Sequence, residues 1–329
     1  MTRRFLVTGG AGYIGSHLVQ ALRARGDRCA VLDNLSTGHR RAVPDGVDLV
    51  QADLADRAVV DGVLADGPWD GVFHFAGLSL VAESMRDPMG YFAANVGNSA
   101  GLIDACIRHG VKKLVFSSTA ALFGLPGRLP IAEDDRIDPA SPYGESKIMV
   151  ERLLAWADRV HGLRYASLRY FNAAGADPDG ALGEDHRPET HLIPLAIDAA
   201  LDRIPPLAVF GTDYPTSDGT CIRDYVHVSD LASAHLAAFE RLDAASVTYN
   251  LGNEAGHSVR DVLASVARVA GRAVPHRLAP RRAGDPAVLI ASSARIRAEC
   301  GWRPRFTKLD DIVATAWTWR QTHPSGYES

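Results

Sequence analysis

The chain has 329 residues, 47% of them hydrophobic, more than a single core usually encloses, so one large or two interleaved α/β domains are expected. Its formal net charge of −4 comes from acidic and basic residues mixed along the chain, which excludes a broad cationic face for nucleic acid and a polybasic segment for a membrane. That charge pattern points to a small-molecule partner, and the four cysteines, Cys29, Cys106, Cys221 and Cys300, show no C-x-x-C pairing, which speaks against a disulfide framework or a cysteine zinc site and predicts a cytoplasmic protein.

The opening Thr2-Arg3-Arg4 passes within a few apolar residues into Thr8-Gly9, too soon for a signal-peptide core or a membrane span. Periodicity then predicts a strand at 4–8, a helix at 13–25 and a strand at 29–33, followed by a turn through Ser36-Thr37-Gly38. In the strand-to-helix turn, Gly9 lets the backbone bend, Gly12 leaves room for a pyrophosphate, and Gly15 lets the helix pack on the sheet. The free N–H groups at the start of that helix favour phosphate. Asp33 ends the next strand eighteen residues beyond Gly15, where a carboxylate accepts bonds from ribose hydroxyls and repels a 2′-phosphate. NAD is therefore expected rather than NADP.

Further strands are predicted at 48–51, 71–75, 113–116 and 165–169, each separated by enough chain for a crossover helix. The fold class is therefore α/β, a doubly wound parallel Rossmann sheet with a smaller α/β substrate-binding domain. Asp53-Leu54 follows the third strand, where an aspartate can bond adenine, although it can also cap a helix starting near Ala55. Phe75-Ala76-Gly77 closes the fourth strand at the same edge, small enough for a cofactor to lie across it. After Asn172 the texture changes to Gly175, Pro178, Gly180, Gly183 and Pro188, read as the start of a substrate domain. Strand and helix patterns return at about 225–250 and are expected to complete the first sheet. The division is thus 1–171 plus about 225–250 for NAD, and 172–224 plus 251–329 for substrate.

Chemistry concentrates where the strand ending in Phe116 runs into Ser117-Ser118-Thr119 and where a helical segment carries Tyr143 and Lys147 four residues apart. A tyrosine titrates near pH ~10, too high for a base at neutrality. One cation about 5 Å away at an effective dielectric of ~20 favours the phenolate by roughly 3 kcal/mol. Lys147 and an oxidised nicotinamide together are expected to make Tyr143 a working base.

The motifs TGGAGYIGSH, LDNLSTG, HFAG, SPYGESK, LRYFNAAGADP, GTCIRDYVHVSDLA, YNLGN, PRRAGDP and HPSGY together resemble the extended short-chain dehydrogenase/reductase superfamily, and within it the UDP-glucose 4-epimerase family, from Phe5 to Tyr327. The resemblance implies a bound NAD⁺, with Tyr143 taking the proton of the sugar 4-hydroxyl, Thr119 bonding that hydroxyl, and Lys147 holding the cofactor ribose. The keto sugar then turns about its pyrophosphate and takes the hydride back on its other face. On this reading the cofactor set is Gly9, Gly12, Tyr13, Ile14, Gly15, Asp33, Asn34, Asp53, Leu54, Phe75, Ala76, Gly77, Asn95, Ser117, Tyr143, Lys147 and Tyr170. The UDP-sugar falls to Thr119, Tyr143, Phe171 and Asn172, to Arg223, Arg282 and Asp285 at phosphates and ribose, to Leu192 and Phe210 at uracil, and to Leu289 beside the sugar 2-position.

Several positions depart from the family pattern. Ser79 stands where a lysine is common, Thr119 replaces a serine, His191 replaces an asparagine, and Leu289 replaces a gatekeeping tyrosine, which would admit an N-acetyl group. A nucleotide-sugar 4,6-dehydratase needs Asp-Glu directly after the threonine, whereas this chain has Ala120-Ala121. UDP-pentose or UDP-uronate epimerisation, and a non-catalytic nucleotide sensor, are the alternatives. No metal is expected, since the histidines show no H-E-x-x-H spacing and His74, His186, His191 and His227 read as residues satisfied by hydrogen bonds. The resemblance implies a homodimer through helices containing 91–109 and 143–160, whose apolar residues include Met149, Leu153, Leu154 and Trp156.

Overall fold

The computed structural model describes residues 2–282 and 285–328, so Ala283 and Gly284 of the PRRAGDP motif lie outside the described residues. The strands are β1 (Arg4–Thr8), β2 (Arg28–Asp33), β3 (Asp48–Gln51), β4 (Gly71–His74), β5 (Lys113–Thr119), β6 (Arg164–Tyr170), β7 (Asn172–Ala174), β8 (Leu207–Phe210), β9 (Ile222–His227), β10 (Val247–Leu251), β11 (Gly256–Ser258), β12 (His276–Ala279) and β13 (Val288–Leu289). The α-helices are α1 (Tyr13–Ala24), α2 (Arg57–Ala65), α3 (Val81–Ser84), α4 (Pro88–Tyr91), α5 (Asn98–Arg108), α6 (Pro142–His161), α7 (Leu192–Ala200), α8 (Val228–Arg241), α9 (Val259–Ala270), α10 (Ala294–Cys300) and α11 (Leu309–Thr322).

Seven strands form the principal sheet in the order β10-β6-β5-β4-β1-β2-β3, every neighbouring pair parallel. Strands covered on both faces need unbroken apolar runs, and Phe5, Leu6 and Val7 of β1 are all fully buried. Alternate residues feed two cores. Phe5 and Val7 pack with Leu18 and Leu22 of α1 and with Leu231 and Phe239 of α8, while Leu6 packs with Leu64 of α2, Leu102 of α5 and Leu154 of α6. The strand order reverses between β1 and β4, the crevice where ligands bind in open α/β sheets.

The small sheet is built on β9, which pairs with β7, β11 and β13, and β8 with β12 forms a separate ribbon. α7, α9 and α11 pack together over a second core around Ile197, Val262 and Val313. Of the 225–250 stretch, α8 and β10 lie on and in the principal sheet. β9, which reaches His227, belongs to the small sheet instead and does not extend the first. The GTCIRDYVHVSDLA motif therefore straddles the change of sheet, because β9 carries Arg223 and Asp224 outward before α8 returns.

Asp224, fully buried in β9, ties that change together. Its carboxylate accepts the backbone N–H of Asn253 at 2.8 Å, Glu254 at 3.1 Å and Ala291 at 3.1 Å, and burial pushes it up to about 7 while these N–H groups draw it down. Replacing Asp224 by Ala would strand three N–H groups, that of Ala291 buried and those of Asn253 and Glu254 partly so, at about 1–3 kcal/mol each. We expect at least about 3 kcal/mol of lost stability in urea unfolding; a loss below about 1 kcal/mol would mean that water replaces the carboxylate.

Candidate active site

The carboxyl ends of the principal strands and the small-sheet region line one cleft of about 540 Å³. Gly9, Gly12, Tyr13, Ile14, Gly15, Asp33, Asn34, Asp53, Leu54, Phe75, Ala76, Gly77, Ser117, Thr119, Tyr143, Lys147, Tyr170, Phe171, Asn172, Arg223 and Leu289 all face it. At Gly9, with φ +72°, a Cβ would stand 2.5 Å from the Ala76 nitrogen, and at Gly15 one would stand 2.2 Å from the Gly9 carbonyl. Both positions exclude any larger residue. A Cβ at Gly12 would meet only the Gly9 carbonyl, at 3.3 Å, so its backbone is open to the cleft. α1 begins there with no side-chain cap and no acidic residue in its first turn, which leaves its N–H groups for an anion.

Asp33, at the end of β2, accepts the N–H of Ala11 at 3.0 Å and of Leu35 at 2.8 Å, joining the glycine turn to the LDNLSTG loop. Leu35 takes a left-handed φ of 59°, strain of the kind found at ligand-binding turns. Asp53 is not the cap of the next helix. α2 starts at Arg57 with Asp56 accepting from the Val59 N–H, and Asp53 bonds Ala55 N–H at 2.8 Å and the Asn34 amide at 2.7 Å. Glycines and both carboxylates thus form a cradle suited to a dinucleotide.

Asn95 does not reach the cleft. It sits in a π-helical turn over Phe92–Gly97, and its amide is spent on the Leu78 N–H at 2.8 Å, the Leu78 carbonyl at 3.0 Å and the Ser146 hydroxyl at 3.0 Å. It therefore holds the turn after Gly77 against α6, while Ala94 of the same turn and Asn98 at the start of α5 face the cleft instead.

α6 starts at Ser141, whose hydroxyl accepts the Gly144 N–H at 3.2 Å, with Pro142 at the first helical position. The helix aims Tyr143 and Lys147 at β5. The buried Lys147 donates to the Ser117 carbonyl at 3.0 Å and lies 5.9 Å from the Tyr143 ring centre. Desolvation lowers its ammonium to about 8. The same burial raises the Tyr143 phenol, and the Thr119 hydroxyl draws it only part of the way back. The ammonium by itself therefore does not outweigh desolvation, contrary to the dielectric estimate for the pair. Tyr170 shares a hydrogen bond with the Ser117 hydroxyl and is likewise raised by burial.

One more turn along α6, Glu151 is buried against Arg169 of β6, accepting from its Nε at 2.9 Å and a terminal nitrogen at 2.5 Å, and from the Ser118 hydroxyl at 2.6 Å. Sequence reasoning missed this clamp. Its signal was the repeat of polar residues at 143, 147 and 151 on one helical face.

At the other end, the Asn172 amide donates to the Asp224 carbonyl at 2.9 Å. Arg223 is paired with Asp285, whose other oxygen accepts the Tyr214 hydroxyl at 3.4 Å. Asp285, Arg282, Phe210 and Leu192 are not on the cleft wall. The Arg282 guanidinium stacks 4.2 Å from the Phe210 ring centre, and Leu192 begins α7 partly buried in the second core. Leu289 faces the cleft and packs with Phe171 against Ala120 and Phe123.

Of the four singled-out histidines, His74 bonds Thr8 at 2.7 Å and Ser99 at 2.9 Å, and His227 bonds the Ser229 N–H at 3.1 Å and Thr315 at 3.0 Å. His191 bonds Glu189 at 3.0 Å as expected, whereas His186 differs from the expectation. They gather with Glu184 and Glu189, and Nδ1 of His186 has no hydrogen-bond partner among the described residues.

A cradle for a dinucleotide beside a tyrosine and a lysine at the switch point of a parallel sheet defines an NAD-linked enzyme. The chain belongs to the NAD dependent epimerase/dehydratase family, whose model matches residues 5–252, and its cofactor is NAD. The UDP-glucose 4-epimerase of Lacticaseibacillus casei is 48% identical over 323 residues, 98% of each chain. A crystal structure of UDP-glucose 4-epimerase from Brucella ovis in complex with NAD matches with a TM-score of 0.94 at 45% identity, covering 96% of this chain and 98% of that one. The structure of the Bifidobacterium longum UDP-glucose 4-epimerase with NAD⁺ and UDP gives 0.93 at 35% identity, covering 98% and 99%. Within the family the chain stands with the UDP-glucose 4-epimerases of the extended short-chain dehydrogenase/reductase superfamily, and it is an NAD-dependent isomerase.

Proposed function

We propose that the protein interconverts UDP-glucose and UDP-galactose by transient oxidation at sugar C4. The observation that carries this reading is that Tyr143, Thr119 and Lys147 share one cleft with the glycine cradle on one side and Asn172 and Arg223 on the other. NAD, when bound, supplies the acceptor and returning donor of the C4 hydride. Tyr143 holds the proton of the 4-hydroxyl, Thr119 orients that hydroxyl, and Lys147 fixes a ribose and biases the phenol. Around Thr119 the walls are Ala120, Ala121, Phe171 and Leu289. Such a surface grips a hexose weakly, as a sugar that must show both faces requires, and leaves the polar hold to the nucleotide at Asn172 and Arg223. Two methyl groups at 120 and 121 offer no acid or base to expel water, which argues against 4,6-dehydration.

In this proposal α8 and β10 join residues 1–171 in the NAD-binding domain, with the remainder forming the UDP-sugar domain. A homodimer through the 91–109 and 143–160 helices is supported by exposed Met149, Trp156 and Val160 on α6, whereas Leu154 is core. Leu289 in place of a bulkier gatekeeper supports turnover of UDP-N-acetylhexosamines as well.

A panel of UDP-galactose, UDP-N-acetylgalactosamine, UDP-N-acetylglucosamine and UDP-arabinose, separated by chromatography after incubation, tests both statements. We expect 4-epimers from the galactose and N-acetyl substrates, and Leu289→Tyr to cut N-acetyl turnover by roughly tenfold or more while sparing UDP-galactose. An enzyme active on UDP-galactose that leaves UDP-N-acetylglucosamine untouched would end the N-acetyl reading. Turnover of UDP-arabinose alone would replace the hexose assignment.

A further inference from the structure

Between β7 and α7 the chain reads Glu184-Asp185-His186-Arg187-Pro188-Glu189-Thr190-His191, and the four residues at 184, 186, 189 and 191 turn their side chains to one point. One ligand-type atom from each lies within 4.8 Å of all the others. His186 Nδ1 stands 3.2 Å from Glu184 Oε1 and 3.8 Å from Glu189 Oε2, and His191 Nδ1 stands 2.8 Å from Glu184 Oε1 and 3.0 Å from Glu189 Oε1. Bonds of about 2.0–2.1 Å to a tetrahedral zinc would put ligand atoms roughly 3.3 Å apart, within the observed spread.

These groups lie at ion-pair distances, and their orientation favours a metal site over a network of ion pairs. In such a network each imidazolium N–H would point at a carboxylate oxygen. Here Glu184 Oε1, His186 Nδ1 and Glu189 Oε2 are buried and satisfy no hydrogen bond among the described residues, although they are close together. Glu184 is only 6% exposed, so its buried Oε1 needs either a protonated imidazole of His186 or His191 or a metal cation beside it. Only the His191–Glu189 contact at 3.0 Å is a hydrogen bond. Glu189 Oε1 is also held by the N–H groups of Thr190 at 2.8 Å and His191 at 2.9 Å, which orients Oε2 toward the centre. Arg320 approaches Glu189 Oε2 at 3.7 Å but makes its shorter contact, 2.9 Å, with Asp198.

We propose that Glu184, His186, Glu189 and His191 bind one divalent transition-metal ion, of the zinc class, as a structural site on the wall of the cleft that also holds Tyr143, where Glu184, His186 and His191 face it. Two imidazoles and two carboxylates suit zinc, and the two carboxylates balance its charge. The half-exposed His191 leaves a path by which the ion enters. The site clamps the two regions of the molecule together at the edge of the cleft. The ring of His186 lies edge-on to Tyr13 of the glycine turn, with 6.2 Å between ring centres, and the Tyr13 hydroxyl donates to the Gly175 carbonyl at 2.6 Å. Between the ligands, the Asp185 carbonyl accepts from His39 at 2.9 Å and its carboxylate accepts the Tyr327 N–H at 3.0 Å. The ion would hold the segment that leads into α7 against the cofactor cradle. This inference does not depend on which sugar nucleotide is the substrate.

The test uses the full chain, purified without a histidine tag, stripped with a chelator and titrated with Zn²⁺ or Co²⁺. We expect one equivalent taken up per chain, the visible absorption of tetrahedral Co²⁺, and a rise of about 5 °C or more in the unfolding midpoint on Zn²⁺ addition. His186→Ala with Glu184→Gln is expected to abolish the uptake and the Co²⁺ absorption. Should that double variant fail to fold, the titration of the stripped wild type decides alone. No stoichiometric uptake together with an unchanged midpoint would mean a metal-free ion-pair network and overturn the proposal. Undiminished uptake by the folded double variant would place the ion elsewhere and overturn it equally.

Discussion

Replacing Tyr143 by Phe is expected to lower turnover of UDP-galactose by at least ~10²-fold, the scale of a lost general base, with the fold and bound NAD unchanged. Phe keeps the ring and removes only the oxygen, so the packing of α6 on β5 should survive. The pH dependence follows from the direction of each shift. Burial raises the Tyr143 phenol above its ordinary value and lowers the Lys147 ammonium to about 8, so at neutral pH the ligand-free pair is a phenol beside an ammonium. The base form grows as pH rises while Lys147 sheds its charge near 8, so turnover should climb from neutrality and level off above about pH 8. Lys147→Met, which removes the positive charge, should move that climb to higher pH. Steady-state rates across a pH series with spectroscopic NAD content as the control check both parts; a Phe variant within tenfold of wild type would remove Tyr143 from the chemistry.

Replacing Glu151 by Ala is expected to destabilise the protein by about 3–5 kcal/mol, the range for removing one partner of a buried ion pair. Both side chains are nearly inaccessible, at 7% for Glu151 and 6% for Arg169, so the guanidinium left behind would have neither water nor a carboxylate. Its remaining contacts, the Glu133 carbonyl at 3.1 Å and the face of Phe123 at 5.5 Å, do not neutralise it. Replacing both residues, as Glu151→Leu with Arg169→Met, should be milder than either single change, because no unpaired charge remains. Chemical unfolding of the three variants tests this, and a Glu151→Ala loss below about 1 kcal/mol would show that solvent reaches the pair. Since Glu151 sits one turn beyond Lys147, the folded fraction of the Ala variant should also turn over more slowly.

The parallel sheet was legible because strands buried on both faces must be apolar throughout, and β1, β2 and β3 were read to within one residue. The cradle was legible because its glycines answer to backbone contacts only a few residues away in space. Contacts between distant segments were not. Asn95 carried the right residue type at the right edge of the sheet, yet its amide is consumed by Leu78 and Ser146. Arg223 and Asp285, read separately as phosphate and ribose ligands, turn out to be paired with each other. The four-residue cluster at 184–191 escaped because its ligands alternate along a loop, where no helical or strand period marks convergence.

Local order along the chain decided the alternation of strand and helix, the glycine turn after β1 and the four-residue spacing of Tyr143 and Lys147, since each depends on neighbours within about one turn or one strand. Which strand joins which sheet, which carboxylate meets which cation, and how far the tyrosine is removed from water were decided only on folding. Burial and pairing are properties of the segments that come to surround a residue, and 62 positions of chain separate Arg223 from Asp285 before the small sheet brings them into contact.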